Sequence, residues 1–246
     1  MLLCDAHNHL LHNMGSGAAT LDESLTMARA LYIQGVRYAI VCPAFHESFE
    51  TVNRFLTRRN EARKQLLDAF GVGEKRIRLI CSAEVTLSEE LTSLPDLPKL
   101  LIPGTNFLPI SLSIPSFGDQ EVRLISYLMH KKGILPYFLH LERYISFFSA
   151  AQLDRLLSIK KGVFCLSVRA LGERDMVTLV QKYLVHGSKI IPMTNAHNLT
   201  TMPPEVRPEQ LRIDGLHAER VYHLMERISS TIFKPYLPAW RRSRSC

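Results

Sequence analysis

Cysteines and long apolar runs are scarce in this sequence of 246 residues. The five cysteines are odd in number and widely spaced, and none forms a C-x-x-C pair, so we expect buried, reduced thiols rather than a disulfide framework. No apolar run approaches the roughly 20 residues that a membrane-spanning helix needs. No signal-peptide pattern precedes Asp5. These absences predict a cytoplasmic protein without a transmembrane segment.

Acidic residues are also few, with 23 of them against 30 basic residues and a formal net charge of +7. A basic chain can bind nucleic acid or another anionic surface. However, the sequence has no basic stripe interleaved with aromatic residues and no recognisable nucleic-acid-binding motif, so we expect no nucleic-acid partner. Part of the charge lies in the terminal residues Arg241, Arg242 and Arg244. This basic tail is either a solvated end or a segment that binds phospholipid heads or acidic partner segments.

The remaining composition, with 46% hydrophobic and 22% charged residues, is typical of a globular protein, and 246 residues are enough for one large domain. Seven apolar, β-rich runs alternate with helix-like stretches that end in glycine, a pattern typical of βα units and a parallel sheet. It favours a closed or distorted barrel over an open doubly wound sheet, with the domain over residues 1–240 and the tail over 241–246. The predicted strands are residues 2–10, 36–42, 77–85, 108–114, 134–140, 163–168 and 189–194.

Helices are predicted between these strands. Thr20 and Glu23 have the spacing of a capping box, which predicts a helix start there and an end at Gly35. A proline-rich stretch over residues 92–109 predicts a turn-rich connector or lid. The other predicted helices are residues 51–70, 120–130, 150–159, 174–185 and 208–229.

Two histidines, His7 and His9, end the first predicted strand. Residues two apart in a strand project from the same face, so both imidazoles point toward one place. This geometry suits a metal ion. A buried pair that hydrogen-bonds its neighbours remains an equal alternative, because H-x-H is a short and common pattern.

Further metal-ligand residues follow other predicted strands. The carboxyl ends of the strands share one face in a βα barrel, so side chains from four strands would converge there. Imidazole and carboxylate ligands suit zinc, manganese or iron, and an ion with an open coordination position lowers the pKa of bound water toward neutrality. The sequence therefore predicts a hydrolytic metal centre. Its candidate residues are His7, His9, Glu84, His140, Asn195 and His197.

Arg143 lies three residues after His140. A guanidinium can bind a phosphate through two parallel hydrogen bonds, so Arg143 is a candidate oxyanion-binding residue. A surface ion pair with Glu142 or another acid is the alternative.

Five segments resemble, in the right order, motifs of the PHP (polymerase and histidinol phosphatase) superfamily. Within it they are similar to the bacterial manganese-dependent tyrosine phosphatases of capsule and exopolysaccharide synthesis, over nearly the entire chain. Residues 5–11 resemble D-x-H-x-H-x-L, 20–28 resemble T-L-E-E-S-L-x-M-A, and 132–136 resemble K-G-x-x-P. Residues 140–144 resemble H-P-E-R-Y, and 195–198 with the later Pro203 and Pro204 resemble S-D-A-H-N and R-P-P.

The resemblance implies a distorted, TIM-barrel-like (β/α)7 barrel with a metal cluster, commonly of three ions. It also implies a phosphotyrosine substrate at the tail of a partner tyrosine kinase of polysaccharide synthesis. Manganese is the expected ion, with zinc or iron as alternatives. His140 and Arg143 fall on catalytic positions of the family, and the metal positions match His7, His9, Glu84, His140, Asn195 and His197.

Several positions depart from the family pattern. Gly15-Ser16-Gly17-Ala18 replaces D-D-G-A and removes a carboxylate, Ala44 replaces the histidine of T-P-H, Asn195 replaces an aspartate, and Met202 replaces an arginine. His12 and His46 are nearby candidates to replace a lost imidazole, although loop histidines are commonly only solvated. We therefore expect fewer than three ions. Two functions follow: a metal-dependent phosphoesterase of the tyrosine-phosphatase type with a weakened cluster, or a catalytically impaired pseudophosphatase that binds or regulates a partner.

Overall fold

The β-strands carry the candidate site residues at their ends. A computed structural model describes residues 4–114, 117–206 and 216–242. Within these residues the strands are β1 (Cys4–Asn8), β2 (Tyr38–Val41), β3 (Ala44–Phe45), β4 (Arg78–Cys81), β5 (Glu84–Thr86), β6 (Phe107–Ser111), β7 (Leu135–Phe138), β8 (Val163–Ser167) and β9 (Ile190–Met193).

The helices alternate with these strands, as the sequence predicts. They are α1 (Leu21–Ile33), α2 (Val52–Asp68), α3 (Glu89–Ser93), α4 (Asp119–Lys131), α5 (Leu141–Phe147), α6 (Ala150–Leu157), α7 (Arg174–Val185), α8 (Leu216–Phe233) and α9 (Leu237–Arg242). The predicted start of α1 is confirmed, because the Thr20 side chain accepts a hydrogen bond from the backbone N–H of Glu23.

The strands form two parallel sheets, in the order β1-β2-β4 and β3-β5-β6-β7-β8-β9. This confirms an α/β fold with parallel pairing. The strand predicted over residues 77–85 is in fact two, β4 and β5, and β3 follows β2 after a similar break. Pro43 lies in the break between β2 and β3, where it has no N–H to donate to the ladder. Backbone bonds still cross both breaks, from Ser82 N to Val41 O at 2.9 Å and from Glu84 N to Pro43 O at 3.0 Å.

The carboxyl end of β1 lies beside the segment that follows β9. The backbone N–H of Asn195 donates to the carbonyl of His7 at 3.1 Å, and the N–H of His9 donates to the carbonyl of Ala196 at 2.8 Å. Residues from the two ends of the strand order are therefore hydrogen-bonded where the candidate ligands lie.

The interior of the sheets is apolar and contains the predicted thiols. Cys4, Cys42, Cys81 and Cys165 are free and buried, as the sequence predicts, while Cys246 lies outside the described residues. Burial raises the pKa of the Cys165 thiol well above its ordinary value, so this side chain is a neutral core group.

Other predicted elements differ in their bounds. The connector predicted over 92–109 contains a 3-10 helix at Leu97–Leu100, but its first two residues belong to α3 and its last three to β6. The helix predicted over 208–229 is α8, and residues 207–215 lie outside the described part. Helix α9 extends to Arg242, past the predicted tail boundary at residue 240. Residues 243–246 also lie outside the described part of the chain. Among the described residues, no helix is long and apolar enough to span a membrane.

Candidate metal centre

The two histidines of the H-x-H motif meet at the end of β1. His7 and His9 are buried, with 0% and 3% of their surface exposed, and their Nε2 atoms are 3.1 Å apart. The strand is irregular between Asp5 and Asn8, where its register against β2 shifts. Two N–H groups cannot face each other at this distance, so at least one Nε2 atom carries a lone pair.

Glu84 begins β5 and connects these histidines to a third. Its Oε2 atom lies 3.3 Å from His9 Nε2 and 3.7 Å from His7 Nε2, and its Oε1 atom lies 3.3 Å from His140 Nε2. Both oxygens of one carboxylate therefore face imidazole nitrogens.

His140 joins β7 to α5 without a loop. Its backbone is left-handed, with φ of 61°, which costs an L-residue roughly 1–2 kcal/mol and places its side chain at the strand end. Glu142, in the first turn of α5, accepts a hydrogen bond from Ser167 N at 3.0 Å, and its other oxygen lies 3.8 Å from His140 Nδ1. Neither the short helix α5 nor the position of Glu142 is predicted from the sequence, since His140 makes no side-chain capping bond of the kind that a sequence motif reveals.

These four side chains fit a single divalent ion. Their ligand atoms all lie within 4.8 Å of one another. Metal–ligand bonds of about 2.0–2.2 Å in a tetrahedral site separate the ligand atoms by roughly 3.3–3.6 Å, close to the contacts within this group. Three imidazole nitrogens and one carboxylate oxygen are also a donor set that zinc, iron or manganese accepts.

Burial and mutual charge set the protonation of the group. Burial disfavours the carboxylate of Glu84, but hydrogen bonds with His140 and His9 outweigh it and hold the pKa of that carboxyl well below its usual range. Burial is the largest cause that lowers the pKa of His7 well below its ordinary value, and charge repulsion from His9 is the next. Burial alone would lower the pKa of His140, but Glu142 and Glu84 outweigh it and raise the pKa to about 9. At neutral pH without metal, His7 is therefore neutral and His140 is protonated.

Metal binding is expected to displace a proton from His140, since a metal ligand must offer a lone pair. With a pKa of about 9, His140 carries this proton at pH 7.5, and metal binding releases it. Calorimetric titration of the metal-free protein in buffers of different ionisation enthalpy measures the number of protons released. Wild-type protein should release about one proton more per ion than His140→Ala; equal counts would show that His140 binds no metal.

Asn195 and His197 lie next to this group rather than within it. The His197 ring stacks on His9 with centroids 4.0 Å apart, and its Nε2 atom lies 3.3 Å from Asn195 Oδ1. His197 Nδ1 lies 3.0 Å from the carbonyl of Ser16, which must accept from it. Burial, followed by charge repulsion from His9, lowers the pKa of His197 to about 4. Its Nε2 atom therefore offers a lone pair at neutral pH.

The positions that depart from the family pattern border the same site. Ala44 is the register partner of Glu84, so the methyl group replaces an imidazole beside the carboxylate. His12 Nε2 instead pairs with Gln65 Oε1 at 2.9 Å, and His46 is exposed against Phe49. Neither histidine belongs to the four-donor group.

Arg143 is exposed in the first turn of α5. The ion pair with Glu142 that the sequence leaves open is absent from the described residues, because Glu142 faces Ser167 and His140. Arg143 thus stays a candidate anion-binding residue close to His140 in the chain.

Asp5 lies next to the site and is not among the residues predicted from the sequence. It is fully buried, and burial outweighs its hydrogen bonds to raise its pKa to about 6. Its position two residues before His7, on the same face of a strand, is the signal that could have revealed it.

Comparison with known proteins gives a consistent family. The sequence model described as capsular polysaccharide synthesis, CpsB/CapC, matches residues 3–223. This chain is 27% identical over 154 residues to the tyrosine-protein phosphatase CpsB of Streptococcus agalactiae serotype III (strain NEM316). It is also 27% identical over 152 residues to the CpsB of serotype V (strain ATCC BAA-611 / 2603 V/R). Each match spans 58% of this chain and 58% of the relative's length.

The fold is also similar to a solved structure. A chain from the crystal structures of YwqE from Bacillus subtilis and CpsB from Streptococcus pneumoniae, metal-dependent tyrosine phosphatases, matches with a TM-score of 0.69 and 21% identity. The match covers 91% of this chain and 86% of that chain, so the two share a fold. Because the family model covers most of the sequence, residues 3–223, this protein belongs to the CpsB/CapC family of capsular polysaccharide synthesis.

Proposed function

We propose that this protein is a metal-dependent phosphoesterase that hydrolyses phosphotyrosine in a protein of capsular polysaccharide synthesis. The observation that carries the proposal is the convergence of His7, His9, Glu84 and His140 within 4.8 Å in a chain of the CpsB/CapC family. Similarity to proteins named tyrosine-protein phosphatases supports the same reaction.

These four residues are the proposed primary ligands, and Asn195 and His197 are proposed to complete the metal site from the adjacent segment. When bound, a divalent ion supplies Lewis-acid polarisation of a phosphoryl oxygen and lowers the pKa of water. His140 acts at the centre as a ligand, and Arg143 binds the phosphate oxygens beside it. Burial of His7 and His9 excludes bulk water from the inner side of the site.

The number of ions is proposed to be fewer than three. Glu84 is the sole carboxylate in the four-donor group, and Ser16, Ala44 and Asn195 stand where the family has charged or imidazole ligands. Fewer negative ligands reduce the charge available to hold several divalent ions close together. Manganese stays the prediction from the family resemblance, with zinc or iron as alternatives.

We also propose a setting for this activity. The substrate would be a tyrosine kinase of polysaccharide synthesis, and the reaction would take place in the cytoplasm. The backbone bonds between the end of β1 and the segment after β9 support one closed (β/α)7 barrel over residues 1–240.

Phosphate release from a phosphotyrosine peptide, by metal-loaded protein and by His7→Ala, tests this function. We expect wild-type protein to release phosphate and His7→Ala to lose at least about 100-fold in rate, because the variant lacks a ligand that is wholly buried. Equal rates would contradict the phosphoesterase. A wild-type protein that binds metal but releases no phosphate would instead identify a pseudophosphatase that acts as a binding or regulatory module.

A further inference from the structure

Asp5 and Thr194 form a buried connection directly behind the candidate ligands. Asp5 Oδ1 accepts a hydrogen bond from Thr194 N at 2.9 Å, and Asp5 Oδ2 accepts one from the Thr194 hydroxyl at 2.7 Å. Asn8 Nδ2 donates to the same Oδ2 atom at 2.8 Å. The two residues are 189 positions apart in sequence, so their contact joins the start and the end of the strand order.

The connection continues through Thr194 to the histidines. The Thr194 hydroxyl also accepts a hydrogen bond from Ala196 N at 3.2 Å, which shapes the turn that leads to His197. The carbonyl of Ala196 in turn accepts from His9 N at 2.8 Å. Asp5, Thr194, Ala196 and His9 therefore form a closed circuit of hydrogen bonds and chain between β1 and the segment after β9.

The circuit holds two imidazoles next to each other, His9 from the start of the chain and His197 from near its end. His9 and His197 stack with centroids 4.0 Å apart, although no hydrogen bond joins their rings among the described residues. Asp5 has no cationic partner in the part of the chain that the structure describes. Such a buried carboxylate is a costly way to connect two strands, since an apolar pair of the same volume avoids its desolvation. The directional hydrogen bonds of a carboxylate instead fix the positions of the groups that donate to it, here the backbone N–H and the hydroxyl of Thr194.

We propose that Asp5 and Thr194 are a positioning pair that sets His197 and Asn195 against His9, and so determines metal affinity without touching the ion. The proposal rests on the metal centre proposed above. Its effect should resemble that of other residues that orient metal ligands, whose removal weakens metal binding by about 10–100-fold.

Thr194→Val tests the pair, because valine keeps the shape of threonine and removes its hydroxyl. Calorimetric titration of the metal-free protein with Mn²⁺ and with Zn²⁺ should show binding about 10–100-fold weaker than in wild-type protein. Thr194→Ser restores the hydroxyl and should bind within about threefold of wild type. Asp5→Asn should weaken binding too, and the double variant Asp5→Asn/Thr194→Val should bind little worse than the weaker single variant, since one connection is lost in each.

Thr105→Val is the matched control. Thr105 is also buried, and its hydroxyl donates to Ile102 O at 2.8 Å and accepts from Phe107 N at 3.0 Å, at the amino end of β6 and away from the ligands. It should lower the melting temperature and leave metal affinity unchanged.

The outcomes separate the two proposals. If Thr194→Val melts as a folded protein and binds metal as tightly as wild-type protein, the proposal of a positioning pair is wrong, while the metal centre is unaffected. If Thr194→Val does not fold, the metal affinity of Asp5→Asn is compared with that of Thr105→Val, and equal affinities would show that the positioning pair is wrong. Wild-type protein that binds neither ion would overturn the metal centre and the positioning pair with it.

Discussion

Glu84→Gln is expected to weaken metal binding by at least about 100-fold and to abolish phosphate release. Glutamine keeps the size of the side chain but removes the negative charge whose two oxygens face His7, His9 and His140. Removing one partner from a buried group of charges typically costs about 3–5 kcal/mol, and 1.4 kcal/mol corresponds to a factor of ten in affinity. Elemental analysis of ions per chain and a calorimetric dissociation constant measure the effect.

His12→Ala is the control for this variant. His12 is also a buried histidine near the first strand, but it pairs with Gln65 and lies outside the four-donor group. We expect His12→Ala to retain the metal content and phosphatase rate of wild-type protein. A Glu84→Gln protein with wild-type metal content would show that the convergence of His7, His9, Glu84 and His140 is not a metal centre.

Asn195→Asp is expected to have the opposite effect and to strengthen metal binding by at least about tenfold, or to add a second ion per chain. The substitution adds a carboxylate next to His197, where Asn195 now offers a neutral amide oxygen at 3.3 Å. Aspartate tolerates the left-handed backbone of this position, with φ of 51°, so the change brings no new strain. Attraction between the added charge and a divalent ion supplies the gain.

Asn13→Asp controls for added charge as such. Asn13 has the same left-handed backbone, with φ of 55°, but its side chain is exposed and outside the four-donor group. It should leave metal stoichiometry and affinity unchanged. An equal gain in both variants would mean that net charge, rather than a ligand at position 195, determines how much metal the protein binds.

The strand ends were the part of the site that could be predicted from the sequence. The H-x-H spacing places His7 and His9 on one face because the side chains of a strand alternate with a period of two. The βα pattern brings His140, after β7, to the same rim because parallel strands expose their carboxyl ends together. Glu84 reaches this rim from the break after the carboxyl end of β4, although it is the first residue of β5 and not, as the sequence predicts, the last residue of a strand. These are local regularities of the backbone, and they need no knowledge of distant contacts.

The breaks in the sheet and the turn at His140 could not be predicted in this way. The break after β2 coincides with Pro43, but whether a strand resumes beyond a proline depends on pairing with β5, which lies forty residues later. His140 adopts a left-handed conformation that residues other than glycine rarely adopt, and it does so where β7 leads into α5. Both features are set by neighbours that are remote in sequence.

The sequence thus specifies which ligand-type residues reach the rim, through periodicities that depend only on backbone geometry. The folded chain determines that four of them meet within 4.8 Å, that His197 stacks beside them, and that Asp5 reaches Thr194 across 189 positions. It also raises the pKa of His140 to about 9, since that pKa reflects burial and the proximity of Glu142 and Glu84. Distances, burial and charge coupling arise only when distant segments pack together, because close packing in a medium of low dielectric constant makes each group respond to its spatial neighbours.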